Sequence, residues 1–310
     1  MIIGAGLHIV GAGMAGLLSG RMLSHRSPVL YESQPDLPNN HSAVLRFRSS
    51  IVGDTLKIPF RKVNLIKTTQ RWRNPVADAL AYSRKNTGVY LSNRSINSYD
   101  LLSVERYIAP PNLIPEMASG LVGRIIYSAP FGIHDILQAR SPVVSTIPMP
   151  RLMELLEYPG KKNISFRYVD TWNVKATIPG CDAYVTVNVP DPSLPFSRIS
   201  ITGDELIVEC NTGPAMPVPE VVNPALHLLG IQGWQGQADV YHATYGKIIP
   251  IDDNVRREFL HWATVKFNVY SLGRFATWRP SLLLDDLVND IRLIDKWAFS
   301  SNKYDLARAR

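Results

Sequence analysis

The chain has 310 residues, which is enough for one large domain or two domains of medium size. Hydrophobic residues make up 45% of it and charged residues 19%, and these fractions exclude an intrinsically disordered chain. The net charge of +7 favours an anionic partner, although the basic residues are scattered and form no basic tail.

The cysteines and the apolar runs predict the compartment. Only Cys181 and Cys210 are present, and the apolar N-terminal run lacks the basic segment of a signal peptide, so a disulfide framework is not expected. No stretch reaches transmembrane length without charge. We therefore expect a cytoplasmic protein with no membrane partner, and the sequence leaves its oligomeric state open.

A strand, a glycine-rich turn, a helix and a second strand are predicted over residues 7–32. The turn carries G-x-G-x-x-G, in which the glycines allow a tight turn, close approach of a pyrophosphate and close packing of helix on sheet. The helix N-terminus directs unpaired N–H groups at that pyrophosphate. The predicted dinucleotide contacts here are Gly11, Gly13, Met14, Ala15 and Gly16.

An acid ends the second predicted strand. Glu32 stands about 20 residues after Gly11, where a carboxylate can accept hydrogen bonds from both ribose hydroxyls. Ser33 follows it and is predicted to contact the same cofactor. The alternative interpretation is an ordinary βαβ unit whose glycines serve packing alone.

The middle of the chain changes from irregular to strongly alternating sequence. Residues 33–120 lack sustained periodicity and predict loops and short elements around a nucleotide-binding fold. Residues 121–130 and 141–149 predict strands, and 151–157 one or two helical turns. Two-residue alternation over 164–212 predicts an inserted antiparallel sheet.

The C-terminal third returns to the α/β pattern. The proline-rich residues 213–224 predict a loop, with a short helix or coil over 225–231. A strand is predicted over 240–251, and a helix begins at Asp253 and continues to Ala263. An amphipathic helix is predicted over 281–297, with Pro280 in its first turn.

Two groups of polar side chains are candidates for chemistry on residue type alone. Arg46 and Arg48 share one face of an extended segment, and paired guanidinium groups suit a carboxylate or a phosphate. Strand alternation places Tyr245 and Lys247 together on one face, where they could flank a substrate. The seven histidines show no metal-binding spacing, so no metal is expected.

Three motifs resemble those of one flavoprotein group. The N-terminal VGAGMAGLLSGRML…VLYES, the central VVSTIPM and the C-terminal YSLGRFATWRPSLLLDDLVNDI are similar to segments of the amine oxidases and UDP-galactopyranose mutases. The strings AVLRFRS, IPFRKV, HATYGKI and LGRFATWRP also resemble short phage-encoded FAD-dependent oxidoreductases. The resemblance implies a Rossmann-like, glutathione-reductase-type FAD-binding domain in an α/β protein, with an inserted antiparallel substrate domain.

The resemblance also implies roles for individual residues. A lysine that holds a water at the flavin has a precedent in the amine oxidases, so Lys247, Tyr245 and Arg48 are the predicted catalytic residues. A helix N-terminus beside the flavin would stabilise negative charge on the reduced ring. The further predicted cofactor contacts are Arg46, Thr146, Gly273, Arg274, Phe275 and Trp278.

The predicted domains are discontinuous. Residues 1–50, 121–150 and 240–310 form the expected FAD-binding domain. Residues 51–120 and 151–239 form the expected substrate or cap region.

The leading functional hypothesis is an amine-oxidase-like flavoenzyme that removes a hydride from a carbon bearing nitrogen. Its predicted partner is a small amine or an amine carried on nucleic acid, such as a modified pyrimidine of phage DNA. Three alternatives remain: a redox-neutral nucleotide-sugar mutase, a nucleotide-bound nucleic-acid-binding protein without turnover, and a dehydrogenase that uses NAD in place of FAD.

Overall fold

The computed structural model describes residues 6–38, 41, 45–90, 99–211 and 217–300. Their strands are β1 Leu7–Val10, β2 Pro28–Tyr31, β3 Arg46–Phe47, β4 Arg61–Thr69, β5 Leu102–Ile108, β6 Ile125–Ile126, β7 Val143–Ser145, β8 Tyr168–Thr177, β9 Ala183–Asn188, β10 Phe196–Gly203, β11 Glu205–Cys210, β12 Ala238–Ile248 and β13 Val269–Ser271.

The α-helices of the same residues are α1 Met14–Met22, α2 Ile51–Leu56, α3 Pro75–Thr87, α4 Leu113–Ser119, α5 Ile133–Gln138, α6 Met149–Leu155, α7 Val218–His227, α8 Asp253–Phe267 and α9 Leu284–Ala298. Two short 3-10 helices, Ser24–Arg26 and Pro159–Asn163, complete the assignment. Among the described residues, no helix is both long and apolar enough to cross a bilayer.

The first sheet is parallel and follows the order β13-β7-β1-β2-β6. The central strand β1 is buried throughout, as expected for a parallel strand covered on both faces. Ile9 pairs with Leu30 on one side and with Val144 on the other. This sheet confirms the predicted Rossmann-like unit, and the turn between β1 and α1 lies at its carboxyl edge.

Helices cover both faces of the first sheet. One apolar cluster joins α1, α4 and α9 through side chains that include Leu17, Met117 and Ile291. A second cluster joins α6 and α8 on the other side and includes Leu152 and Phe259. The glycine-rich turn is therefore supported by a closely packed core.

The second sheet follows the order β12-β8-β11-β10-β9-β4-β5-β3. Its pairs are antiparallel except for β4 and β9, which are parallel. One face packs against α7 through an apolar cluster that includes Val208, Ile199 and Val222. The antiparallel sheet predicted over 164–212 is confirmed, and its opposite face carries polar side chains.

The prediction of loops and short elements over 33–120 is wrong for two segments of that range. Strand β4 has nine residues and helix α3 has thirteen. Asn74 caps α3, and its side chain accepts a hydrogen bond from the N–H of Ala77. Strand β4 pairs with β9 and β5, and one of its faces is mostly exposed. Its sequence therefore mixes polar and apolar residues and lacks the apolar run that would have indicated a buried strand.

Three element boundaries also differ from prediction. The strand expected over 121–130 is limited to Ile125–Ile126. The loop expected over 213–224 is partly the helix Val218–His227. This helix tolerates a proline in its first turn, because backbone N–H groups there make no hydrogen bond within the helix. Residues 212–216 lie outside the described ranges. The closing helix begins at Leu284, after Pro280, because Asp286 accepts a hydrogen bond from the N–H of Leu283.

Two strands of the expected FAD-binding domain pair within the second sheet: β3, which is residues 46–47, and β12, which includes residues 240–248. The division of the chain into an FAD-binding domain and a substrate or cap region stays a prediction.

Candidate functional site

The turn after β1 depends on glycine at its first position. Gly11 has φ of +90°, and its N–H donates a hydrogen bond to the carbonyl of Tyr31 at 2.8 Å. A Cβ at this position would lie 2.2 Å from Oγ1 of Thr146. Thr146 is itself fixed, because its hydroxyl donates to the carbonyl of Val10 at 2.7 Å. The turn is therefore both left-handed and closely packed.

The other two glycines have different surroundings. Gly16 lies against the turn, since a Cβ there would be 1.9 Å from the carbonyl oxygen of Gly11. Gly13 is the N-cap of α1, and a Cβ there would meet no atom within 4 Å. The first turn of α1 carries no acidic residue and no side-chain cap. An anion thus has both open space and unpaired N–H donors at Gly13.

Glu32 is held beside this turn. One of its carboxylate oxygens accepts a hydrogen bond from the N–H of Ala12 at 2.8 Å. The other accepts from the N–H of Gln34 at 3.0 Å and from the hydroxyl of Ser33 at 3.3 Å. The acid therefore lies at the glycine turn, as predicted, while Ser33 is exposed and contacts Glu32 itself.

The C-terminal motif reaches the same place. Gly273 has φ of +100°, and a Cβ there would lie 3.2 Å from the Cβ of Ala15. Met14 and Ala15 are half-buried against the α1 core cluster. The structure thus brings the start, middle and end of the chain together at the glycine turn.

The residues after Gly273 form a compact turn and do not lead directly into α9. The N–H of Thr277 donates to the carbonyl of Gly273 at 3.0 Å. Trp278 is 1% exposed, and its indole N–H donates to the carbonyl of Ile249 at 2.8 Å. Trp278 is therefore a core residue, whereas Phe275 is half-buried and Arg274 donates to the carbonyl of Gly246 at 3.5 Å.

The start of α9 is already negatively charged. Asp285 accepts hydrogen bonds from the N–H of Arg48 at 2.8 Å and from the hydroxyl of Ser49 at 3.3 Å. Asp286 caps Leu283, and one of its oxygens lies 3.9 Å from the guanidinium of Arg48. These carboxylates offset the positive end of the helix dipole, so the expected stabilisation of a reduced ring by this helix has no support here.

A bulge in β12 separates Tyr245 from Lys247, contrary to the prediction that they share a face. The register moves from Ala243 opposite Thr171 to Lys247 opposite Val169, and Tyr245 has φ of +61°. The ring centroid of Tyr245 lies 4.4 Å from that of Tyr168 and 6.1 Å from that of Phe275. Simple alternation fails because the bulge inserts extra residues.

Lys247 belongs to a buried ion cluster with Glu209 and Arg198. Its ammonium donates to Oε2 of Glu209 at 2.6 Å, and Arg198 donates to both oxygens of the same carboxylate at 2.6 Å. Burial lowers the pKa of Lys247 to about 8 despite this partner. Burial alone raises the pKa of Glu209, but Arg198 and Lys247 outweigh it and lower that pKa to about 2.

Arg46 lies on β3 in the second sheet, and its predicted contact with the cofactor stays a prediction. Its guanidinium donates to Oγ1 of Thr186 at 2.8 Å and to the carbonyl of Val185 at 3.5 Å. Burial, together with the charge of Arg198, lowers the pKa of Arg46 to about 10. Because β3 and β9 are not neighbours in the sheet, this contact crosses its curled polar face.

Sequence reasoning missed the residues that complete this polar face. Glu209 interrupts the apolar strand LIVEC, and Lys67, Arg106 and Thr186 occupy positions on one face of their strands. A charged residue inside an otherwise apolar strand was the available signal. In the described ranges, no group of three or more His, Cys, Asp or Glu side chains is placed to hold a metal ion.

Comparison with known proteins decides the fold. No family model and no curated protein sequence matches the chain. A reduced UDP-galactopyranose mutase structure superposes with a TM-score of 0.69, 13% identity and 94% coverage of both chains. The chain has the fold of FAD-dependent oxidoreductases. This result confirms the predicted α/β architecture and the flavoprotein resemblance at the level of fold.

Two further solved structures support the same assignment. A fatty acid isomerase from P. acnes, named for producing CLA, has a TM-score of 0.58 at 10% identity, with 97% of this chain and 100% of that chain covered. An oxidoreductase from Methanosarcina mazei has a TM-score of 0.57 at 10% identity, with coverage of 94% and 99%. Each alignment covers at least 94% of this chain.

Proposed function

We propose that this protein is an FAD-dependent oxidoreductase. The observation that carries the proposal is the meeting of Gly13, Glu32 and Gly273 at the N-terminus of α1. Gly13 leaves open space in front of unpaired N–H groups, and Glu32 lies beside the same turn. Gly273 lets the C-terminal motif approach Ala15.

The residues present fit the ADP half of FAD. The N–H groups of the first turn of α1 would hold the pyrophosphate, and no side chain of that turn opposes its charge. Glu32 would exchange its hydrogen bond from Ala12 for the ribose hydroxyls. A carboxylate there disfavours the 2′-phosphate of NADP, and the approach of Gly273 to the turn favours FAD over NAD.

The proposed reaction is oxidation of a carbon that carries nitrogen. Bound FAD would supply two-electron chemistry by accepting a hydride from that carbon, and oxygen would later reoxidise it. Water would hydrolyse the resulting imine to a carbonyl compound and a free amine. Tyr245 and Phe275 would contribute an aromatic wall, since both are half-buried and neighbouring.

The ammonium group of Lys247 has fewer possible positions in this reaction than that of an unpaired lysine. Its hydrogen bond to Glu209 fixes the ammonium, so it would orient a polar group of the substrate or a water from a set position. Its lowered pKa of about 8 would let it release a proton at mildly alkaline pH.

A redox-neutral mutase is the second candidate. Two observations favour it: the similarity to a UDP-galactopyranose mutase, and the contact of Arg274 with Gly246 next to the Lys247 cluster. In this role Arg274 would hold an anionic group of the substrate.

Anaerobic incubation separates the candidates. FAD-loaded protein would be mixed with simple amines, amine-bearing phosphate esters and an amine-modified oligonucleotide, while the flavin spectrum and carbonyl product are followed. Loss of the oxidised spectrum with matching carbonyl formation supports amine oxidation, and the responding arm identifies the substrate class. A protein that stays oxidised with every amine, and that rearranges a nucleotide sugar only after chemical reduction, is a mutase and contradicts amine oxidation.

A further inference from the structure

The polar face of the second sheet carries an excess of positive charge. We call the group Arg46, Lys67, Arg106 and Arg198 the basic face. Arg106 lies on β5 opposite Val63 of β4. Lys67 lies four residues after Val63, so its side chain is on the same face of the sheet as those of Val63 and Arg106. Lys67 pairs with Thr186 of β9, which Arg46 contacts through its guanidinium.

The four cations are close enough to disturb one another. Burial lowers the pKa of Lys67, and the charges of Arg106, Arg46 and Arg198 lower it further. Burial and the charge of Arg48 likewise lower the pKa of Arg106. Mutual repulsion of this kind costs free energy unless an anion offsets it.

Two acids act on the basic face, and both are already engaged: Asp285, whose charge raises the pKa of Arg106, accepts hydrogen bonds from Arg48 and Ser49, and Glu209 is the second. Glu209 is shared between Arg198 and Lys247, which leaves that cluster positive. Lys62, by contrast, lies on the opposite side of β4 and is paired with Glu105. Lys67 has no carboxylate partner among the described residues. The uncompensated charge is therefore specific to one side of the strand.

A continuous series of contacts joins the basic face to the proposed cofactor site. Gly273 lies against Ala15, and Arg274 donates to the carbonyl of Gly246. The next residue, Lys247, donates to Glu209, which binds Arg198. A substrate that reaches the cofactor from the second sheet would meet these cations.

We propose that the basic face binds an oxyanion group of the substrate, and that this substrate is a small molecule carrying at least two negative charges. Guanidinium and ammonium groups recognise phosphate and carboxylate oxygens alike, so a phosphate or diphosphate ester and a dicarboxylate share the required chemistry. The side chain of Arg46 reaches from β3 across the curled sheet to Thr186 on β9, and all four cations are partly buried. A small ligand is therefore favoured over nucleic acid, which needs exposed cations. The proposal rests on the proposed function, since it names the substrate class of the same enzyme.

The test is calorimetric titration of FAD-loaded protein with pyrophosphate and, separately, with malonate at low ionic strength. We expect saturable binding that weakens with salt. Lys67→Gln and Arg106→Gln should each lower the affinity about tenfold, because each removes a charged donor. Lys62→Gln is the matched control on the same strand and should leave the affinity unchanged. Tighter binding of pyrophosphate assigns a phosphate ester, and tighter binding of malonate a dicarboxylate.

Three results would overturn the proposal: no saturable binding of either anion, equal affinity in wild type and Lys67→Gln, or Lys67-dependent binding of an oligonucleotide without binding of either small anion. Failure of the proposed function is distinguishable from these. A protein that takes up no FAD fails that function, and titration of the FAD-free protein then still tests whether Lys67→Gln weakens the binding of either anion.

Discussion

Single residues at the glycine turn separate folding from binding. Gly11 and Gly16 lie so close to neighbouring atoms that any side chain would disturb the fold. Gly13 faces open space, so a side chain there would disturb only what occupies that space. The sequence motif alone predicts that one glycine serves ligand approach and the other two serve the turn and the packing, and the distances in the structure agree with this division.

Gly13→Asp should abolish FAD binding without destabilising the protein. Aspartate is a good N-cap for α1, so the free energy of unfolding without FAD should be unchanged or rise by up to about 1 kcal/mol. Its carboxylate would repel the pyrophosphate and lower FAD affinity by about a hundredfold or more. Thermal unfolding and bound-flavin measurements check both halves, and undiminished flavin content in this variant would refute the assigned pyrophosphate site.

Gly11→Ala should instead destabilise the fold. The methyl group would collide with Thr146 in a backbone conformation that alanine disfavours, at a cost of about 1–3 kcal/mol. Gly13→Ala is the control, because its methyl group meets nothing. Urea unfolding of the two FAD-free variants compares them directly, and equal stabilities would show that the turn is looser than described here.

Glu209 should stabilise the protein in a pH-dependent way. Its pKa of about 2 lies below the ordinary value of 4.5, so the stabilisation is present above pH 4.5 and is lost as the pH falls toward 2. Glu209→Gln should therefore cost about 3 kcal/mol at pH 7, where it leaves Arg198 and Lys247 without a carboxylate. Denaturant unfolding at several pH values measures this, and a cost that stays constant down to pH 2 would contradict the ion cluster.

At the scale of elements, local signals predicted β1, α1, β2 and α8 well. Their apolar runs, glycines and caps act within a few residues of each element. The site residues that lie on these elements were predictable for the same reason.

Elements defined by distant pairing were not predictable. Strand β4 gains its place from β5 and β9, and β12 carries a bulge that turns Tyr245 away from Lys247. The contact of Arg46 with Thr186 likewise follows from the pairing of β3 with β5, which the local sequence does not show. Such outcomes depend on which strands meet, and a single sequence does not encode that locally.

Helix α8 offers a test of element stability. The Asp252 side chain accepts hydrogen bonds from the N–H groups of Asn254 and Val255 at 2.9 and 3.1 Å. Asp252→Ala should cost about 1 kcal/mol, because it leaves these donors without their partner. Asp252→Asn keeps an acceptor oxygen and should retain most of the stability. If both variants unfold at the same denaturant concentration as wild type, this cap contributes nothing.

For the molecule as a whole, the proposed function depends on both sheets, which share apolar clusters that include Phe47 of β3 and Ile248 of β12. The first sheet presents the glycine turn, and the second presents the basic face and the ion cluster. Near the proposed cofactor site, Gly273 lies against Ala15 of α1, and Arg274 donates to the carbonyl of Gly246 in β12. The arrangement places a polar, positively charged sheet face beside the proposed cofactor site.

The most direct test of this account is the cofactor content of the purified protein. The visible absorption spectrum would be recorded before and after denaturation, and the released small molecule identified by mass. We predict an oxidised flavin spectrum and about one FAD per chain, either as purified or after reconstitution with FAD. A folded, colourless protein that takes up no FAD would contradict the central claim.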